Sequence, residues 1–214
     1  DVDNPSEAID LGIGMVHQHF MLVPTLTVAE NIILGEEPTK ELGRLNLKKA
    51  IKKVNDLSKE YGLDVDPRAK IKDISVGMQQ RVEILKALYR HAEVLILDEP
   101  TAVLTPQEIK GLYKIMDTLT EQGKSIIFIT HKLKEVLTAS DRVTVLREGK
   151  SIGTVETEET SETDLAEMMV GRKVVLQVDK EEADPGSPMV KVNNLTVTND
   201  RDMVAVNDLS FEIK

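Results

Sequence analysis

The stretch that decides the fold runs from Ile74 to Thr101 and reads ISVGMQQRVEILKALYRHAEVLILDEPT. Its second part is an aliphatic run, VLIL, which stops at Asp98 and Glu99. A short apolar run of this kind is typical of a parallel strand that is buried on both faces. Open α/β sheets bind ligands at the carboxyl ends of their strands, which is where the two acids lie. The run therefore predicts an α/β fold with a ligand site at Asp98 and Glu99.

The first part of the stretch predicts the start of an amphipathic helix at Ser75 and Gly77. The free N–H groups and the positive dipole end of a helix start favour an anion, and phosphate is the common one. A phosphate-facing helix start, followed by a strand whose acids could hold a metal and activate water, indicates nucleotide hydrolysis.

Composition excludes several other classes of protein. The net charge of −10 argues against a nucleic-acid partner, because such binding depends on clustered Lys and Arg. The absence of cysteine excludes disulfide scaffolds and thiolate metal sites. Four histidines without HExxH spacing argue against a zinc enzyme. No apolar run approaches the roughly 20 residues that a membrane-spanning helix needs.

Two further strands end at polar side chains. The run 13–16 is followed by Gln18, and the run 125–129 is followed by His131. The second run shows almost no alternation of apolar and polar residues, which predicts a strand buried on both faces. Because parallel strands share one carboxyl edge, Gln18 and His131 should lie near Asp98 and Glu99.

Helical signals dominate between the first two strands. Apolar residues recur at helical spacing in 46–61, and residues 21–90 as a whole predict a helical subdomain inserted in the α/β core. Beyond the acids, Thr105 and Ser161 are predicted caps of two more helices. A hairpin turn is predicted around Gly149.

These residue types suit phosphoryl transfer to water, which needs a metal, a group that orients the water and donors on the phosphate. Asp98 suits a metal-bound water, and Glu99 suits the general base. His131 can donate to the phosphate, and Gln18 can bridge the metal and the water.

At this point the sequence resembles a known family, the ATP-binding-cassette (ABC) ATPases. LILDEPT resembles their Walker B motif, ISVGMQQR their signature motif, VHQHF their Q-loop and FITHKL their switch histidine. More narrowly, GIGMVHQHFMLVPTLTVAENIILG, SVGMQQRVEILKALYR and DEPTAVLTPQE resemble the tandem-cassette ATPase subunit of bacterial nucleoside and simple-sugar importers. The nucleoside branch fits better than the ribose-type branch.

The resemblance implies an ATPase that uses ATP and Mg²⁺ and couples hydrolysis to the uptake of nucleosides or simple sugars. The catalytic residues implied are Glu99 and His131, and the metal ligands are Asp98 and Gln18. Four residues would contact the nucleotide: Gln18, Ser75, Gly77 and Gln79. Asp98 and Glu99 would act on the ATP of their own cassette, whereas the signature residues would reach the ATP of the partner cassette.

The resemblance also implies partners. Permease subunits in the membrane would place coupling helices near Phe20–Asn31, and a second ABC domain of the same chain would complete the ATPase. A substrate-binding lipoprotein would act indirectly. The expected location is peripheral, at the cytoplasmic face of the cell membrane.

The expected fold is a P-loop NTPase-like α/β fold with a mostly parallel sheet and a helical subdomain at about 21–90. Residues 1–172 would form a first ABC domain that is incomplete at the N-terminus, without its first strands and its Walker A loop. Residues 173–188 read as a linker rich in Pro and charge, and 189–214 as a β-hairpin that starts a second cassette. No GxxxxGKS/T motif occurs, so the chain is expected to lie between two phosphate-binding loops and to be inactive alone.

Three positions depart from the family pattern. Val76 and Met78 replace a glycine and a glutamine of the signature, although Ser75 and Gly77 remain. Thr105 replaces an aspartate in the turn after Walker B. It can still cap a helix, but the family's contact from that aspartate to the opposite cassette is lost.

Two alternative functions stay open at the level of sequence. One is a soluble tandem ABC ATPase of translation or DNA repair, although such proteins tend to carry a long charged helical linker. The other is a non-catalytic interaction module. Nucleotide binding by the 214-residue chain would separate them.

Overall fold

Three parallel strands form the central sheet of the computed structural model, which describes residues 2–40, 43–173, 184–199 and 202–214. The sheet order is β1 (Ile13–Val16), β2 (Val94–Asp98) and β3 (Ser125–Ile129). The register places Met15 opposite Ile96 and Ile96 opposite Ile127. The predicted α/β class with a parallel sheet is confirmed.

Seven helices surround or follow the sheet in the described part of the chain, and two of them begin at the predicted caps Thr105 and Ser161. The seven helices are α1 (Pro5–Asp10), α2 (Val28–Ile33), α3 (Leu47–Glu60), α4 (Val76–Tyr89), α5 (Pro106–Glu121), α6 (Leu133–Ala139) and α7 (Glu162–Val170). Thr27, Thr105 and Ser161 each form a complete capping box with the acid three residues later. These boxes satisfy backbone N–H groups that a helix start leaves unpaired.

The core lies between one face of the sheet and the helices α2 to α5. Leu95 and Leu97 of β2 point into it and are fully buried. Gly14 lets β1 approach α4 closely, because a Cβ there would lie only 2.9 Å from the Cβ atoms of Ala87 and Ala92. The close contact brings β1, which ends two residues before Gln18, directly against α4.

The prediction that the strand 125–129 is buried on both faces is wrong. Ile127 is 51% exposed and Ile129 is 45% exposed, whereas Ile126 and Phe128 pack against the core. Among the described residues, β3 is an edge strand, and no described helix or strand covers its second face. A run of apolar residues reports only that a strand is apolar, not which of its faces is covered.

A hairpin follows the parallel sheet. Strands β4 (Arg142–Arg147) and β5 (Lys150–Glu156) pair antiparallel, and both turn residues, Glu148 and Gly149, have positive φ. Positive φ at both central positions is the geometry of the tight turn that was predicted here. Helix α7 packs on β4, where an Arg147 Nη1 donates to the Met168 carbonyl at 2.8 Å.

The chain divides into two compact units, residues 1–174 and 175–214. Most of the predicted linker, residues 174–183, lies outside the described residues. The second unit contains β6 (Val190–Thr198) and β7 (Val204–Ile213), which form the expected antiparallel hairpin. In the described part of the chain, no helix has both the length and the apolar character needed to cross a bilayer.

Candidate functional site

Asp98 and Glu99 lie at the carboxyl edge of the sheet, as the sequence predicted. Asp98 is the last residue of β2 and stands opposite Ile129 in the ladder. The Glu99 N–H donates to the Ile129 carbonyl at 2.9 Å, which extends the contact with β3 by one residue. Glu99 has a φ of 44°, a left-handed conformation that is uncommon for a residue other than glycine. The backbone therefore leaves the sheet abruptly at the residue proposed as general base.

Glu99 and His131 are in direct contact. His131 Nδ1 lies 2.7 Å from Glu99 Oε1, and the pair spans the ends of β2 and β3. The His131 side chain is 66% exposed and the Glu99 side chain is 25% exposed, so solvent and a ligand can reach both. With Nδ1–H donating to the carboxylate, Nε2 donates to a phosphate oxygen only in the imidazolium form.

Asp98 and Gln18 form the donor set that was predicted for Mg²⁺. Val16, the last residue of β1, pairs with Leu97, so Gln18 follows β1 at the same edge at which Asp98 ends β2. One carboxylate and one amide oxygen fit Mg²⁺, which commonly takes one or two protein carboxylates and completes its shell with water and substrate phosphates. Among the described residues, no group of three or more His, Cys, Asp or Glu side chains could hold a metal. This pair of oxygen donors fits Mg²⁺ that takes the rest of its ligands from water and phosphate.

The start of α4 carries the other predicted contacts. Ser75 is its N-cap, and its Oγ accepts from the Met78 N–H at 3.3 Å. A Cβ at Gly77 would lie 2.5 Å from Oε1 of Glu108, so a carboxylate of α5 already lies against this helix start. Hydrogen bonds from the Thr105 backbone and hydroxyl lower the pKa of Glu108, and the Gly77 N–H contributes to the same effect.

Gln79 and Gln80 have different surroundings. The Gln79 side-chain amide donates to the carbonyls of Ile71 and Ile74 at 3.4 Å each, which places it against the turn that precedes α4. Gln80 is buried, and its amide donates to the Pro100 carbonyl at 2.8 Å. Gln80, which the sequence did not single out, thus links α4 to the turn that follows Glu99.

The predicted residues form two separate groups. A groove of about 220 Å³ lies between α4 and α5 and includes Ser75 and Gly77 in its lining. Asp98, Glu99 and His131 do not line it. The structure therefore brings Glu99 together with His131 at the sheet edge, and Ser75 together with Gly77 at the start of α4.

A polar cluster beside His131 was missed from the sequence. It consists of Thr101, Thr130, Lys132 and Glu135, joined by hydrogen bonds of 2.6 to 3.3 Å. The three-residue spacing of Lys132 and Glu135 was a visible helical ion-pair signal. Their contacts with the two threonines depend on the packing of α6 against the end of β2, which the spacing does not reveal.

The chain is similar in sequence to a known protein family and to two proteins named for nucleoside import. Residues 2–102 match the family model described as ABC transporter. The whole chain is 54% identical over 214 residues to the nucleoside import ATP-binding protein NupA of Lactococcus lactis, covering 42% of NupA. It is 56% identical over 213 residues to the guanosine import ATP-binding protein NupO of Bacillus subtilis, again covering 42% of the relative. The chain thus spans less than half the length of these curated relatives.

A solved structure shows the same fold. CbiO1 from Clostridium perfringens, part of the ABC transporter complex cbiONQ, superimposes with a TM-score of 0.60 at 28% sequence identity. The match covers 74% of this chain and 63% of that one.

Proposed function

We propose that this chain, which carries an ABC transporter ATPase domain, is part of a protein that hydrolyses ATP to drive the import of nucleosides or simple sugars. The observation that carries the proposal is the contact of 2.7 Å between Glu99 and His131 at the carboxyl edge of a parallel sheet. Two relatives named for nucleoside and guanosine import, each more than half identical to this chain, support the transport class.

The reaction is the attack of water on the terminal phosphate of ATP. Glu99 orients the water and accepts its proton, because its carboxylate is partly exposed and has a second oxygen beyond the one that contacts His131. His131 donates through Nε2 to the transferred phosphate. Asp98 and Gln18 would hold Mg²⁺, which when bound offsets the charge of the phosphates.

The groove at Ser75 and Gly77 serves a second nucleotide in this proposal. Its lining excludes Asp98, Glu99 and His131, which supports a role at an ATP held by a partner cassette rather than at the same ATP. In this proposal that partner cassette is a second ABC domain.

A membrane permease is the proposed transport partner, with its coupling helices near Phe20–Asn31. In this segment Met21 is 66% exposed and Val23 is 38% exposed, which leaves an apolar contact available. The protein would act at the cytoplasmic face of the membrane. A substrate-binding lipoprotein would deliver the solute to the permease without contacting the ATPase.

A chimera tests the proposal. Residues 1–214 replace the matching segment of NupO, and both ATP hydrolysis and guanosine uptake are measured in cells without native NupO. We expect both activities to be retained. Glu99→Gln should lower kcat by about 100-fold or more, because it removes the general base and leaves the shape of the side chain. Glu121→Gln, at the exposed end of α5, is the matched control and should behave like the parent chimera.

Two outcomes would contradict the proposal. One is a folded chimera without ATPase activity. The other is a Glu99→Gln variant that hydrolyses ATP as fast as the Glu121→Gln control.

A further inference from the structure

The end of β2 and the end of β3 are joined by one carboxylate. Oε2 of Glu135 accepts from the Thr101 hydroxyl at 2.6 Å and from the Thr130 hydroxyl at 3.3 Å. Oε1 of the same side chain lies 3.0 Å from Nζ of Lys132, which also donates to the Thr101 hydroxyl at 3.1 Å. Every side chain of this cluster therefore contacts at least one other member.

Burial strengthens these contacts. Thr101 is 2% exposed, and the Glu135 side chain is 11% exposed. Hydrogen bonds to an ionised group are shorter and stronger than those between neutral groups, and a low local dielectric increases the difference. A carboxylate with two hydroxyl donors and an ammonium on its oxygens holds its neighbours in one arrangement.

The two threonines flank the proposed catalytic residues. Thr101 follows Glu99 by two residues, and Thr130 directly precedes His131. Backbone atoms also link the two segments just after the strands: the Glu99 N–H donates to the Ile129 carbonyl. On the side-chain side, Glu135 bonds both threonines, and Lys132 also bonds Thr101.

We propose that Glu135 is a positioning residue that sets the contact between Glu99 and His131 by fixing Thr101 to Thr130. This inference rests on the proposed ATPase function for its effect on turnover. The expected effect of Glu135 on the His131 ring does not depend on the ATPase function, because both residues belong to this chain. Glu135 does not touch the nucleotide in this role.

The first test is spectroscopic and uses the 214-residue chain. Histidine ring ¹⁵N shifts report which nitrogen carries a proton, and His131→Gln identifies the His131 signals. In Glu135→Ala we expect the His131 Nδ1 signal to move towards that of an exposed histidine, because the contact with Glu99 loosens. Glu135→Gln keeps one acceptor oxygen and should give an intermediate shift.

The second test is kinetic and uses the NupO chimera. Glu135→Ala should lower kcat about tenfold with less than a twofold change in KM, since small misplacements of catalytic groups reduce turnover. Thr101→Val removes only the hydroxyl and should lower kcat in the same direction. Thr138→Val is the matched control, because its hydroxyl bonds the Lys134 carbonyl on the same helix and lies outside the cluster.

Two outcomes overturn the positioning role. One is an unchanged His131 spectrum in a folded Glu135→Ala chain, even if its thermal stability falls. The other is a Glu135→Ala chimera with kcat within twofold of its parent. An inactive parent chimera would instead refute the proposed function, and the His131 spectrum would still decide the role of Glu135.

Discussion

Gly77 lies directly against the Glu108 side chain of α5. A Cβ there would lie 2.5 Å from Oε1 and 2.8 Å from Cδ of Glu108. Such distances are shorter than any real Cβ contact, so the carboxylate or the helix would have to shift. A larger residue at this position would therefore displace the Glu108 carboxylate from its place beside the start of α4.

Gly77→Ala should lower the free energy of unfolding by about 1 kcal/mol, because the Glu108 carboxylate has to shift from its hydrogen bonds to Thr105. Gly111→Ala is the control, since the nearest side-chain atom, Nη2 of Arg81, is 4.0 Å from its added Cβ. That variant should be more stable by up to about 1 kcal/mol, because alanine favours a helix interior. Urea unfolding of both variants measures the difference, and equal stabilities would contradict the packing argument.

Glu30 gives the fold a dependence on pH. Hydrogen bonds from the Thr27 backbone and hydroxyl lower the pKa of Glu30 below its usual 4.5. A carboxylate whose pKa is lowered by folding stabilises the fold above its unfolded pKa, and this contribution is lost as pH falls through the folded pKa. Glu30→Gln should therefore be less stable than the parent at pH 7, and the difference should shrink below about pH 4. Urea unfolding at pH 7 and at pH 3 checks this, and a difference that grows on acidification would refute it.

The sequence predicts site residues that lie at strand ends but not those that act across the fold. Glu99 and His131 were paired in advance because parallel strands share one carboxyl edge. Glu135 was not, because its bond to Thr101 joins residues 34 apart and depends on where α6 packs. Thr105 was recognised as a helix cap, whereas the contact of its partner Glu108 with Gly77 appears only once α4 and α5 are placed side by side.

At the scale of elements, α4 is tied to the loop that follows Gln18. The Met21 N–H donates to Glu83 Oε1 at 2.7 Å, and Lys86 Nζ donates to the Met21 carbonyl at 3.4 Å. The Glu83 side chain is only 7% exposed, so its carboxylate depends on these partners. One turn of α4 therefore holds both polar groups of a single loop residue, next to the proposed permease contact.

Glu83→Ala should reduce the free energy of unfolding by about 1–3 kcal/mol, because it leaves the Met21 N–H without its acceptor. Glu83→Gln keeps an acceptor oxygen and should cost less. Asp56→Ala is the control: it removes an ion pair with Lys52 whose side chains are 56% and 79% exposed, and should cost under about 1 kcal/mol. Urea unfolding compares the three, and a Glu83→Ala variant as stable as Asp56→Ala would contradict the tie.

The sequence predicted which segments are helices and strands, but it did not predict which of their faces are buried. Capping boxes at Thr105 and Ser161 marked helix starts, because their chemistry is local to four residues. The exposed face of β3 was predicted wrongly, because Ile127 and Ile129 are as apolar as buried residues. Whether a face is covered depends on other elements, which a strand's own sequence does not specify.

At the scale of the molecule, the two units differ in how they bury their strands. In the first, β2 lies between two strands and has fully buried side chains. In the second, most large apolar residues of both strands remain exposed: Val190, Leu195, Val197, Val204, Leu209, Phe211 and Ile213. Two strands alone bury too little apolar surface for independent stability.

Amide hydrogen exchange should separate the two units. The amides of β2 should exchange at the slowest rates, because they open only when the first unit unfolds. The paired amides of β6 and β7 should exchange orders of magnitude faster, since few buried contacts resist their opening. Exchange followed by mass spectrometry gives both rates at once, and equal protection of β2 and β6 would show that the hairpin is stabilised by contacts beyond its own strands.

The left-handed backbone of Glu99 has a consequence for selection. A glutamate at a φ of 44° costs stability that Gly or Asn would partly restore, by about 1 kcal/mol. In a library screened only for resistance to heat, Glu99→Gly and Glu99→Asn would therefore be enriched. A screen for guanosine uptake by the NupO chimera would remove the same variants. Variants enriched by the heat screen and removed by the uptake screen would show that Glu99 is kept for its chemistry, although its backbone conformation favours Gly or Asn.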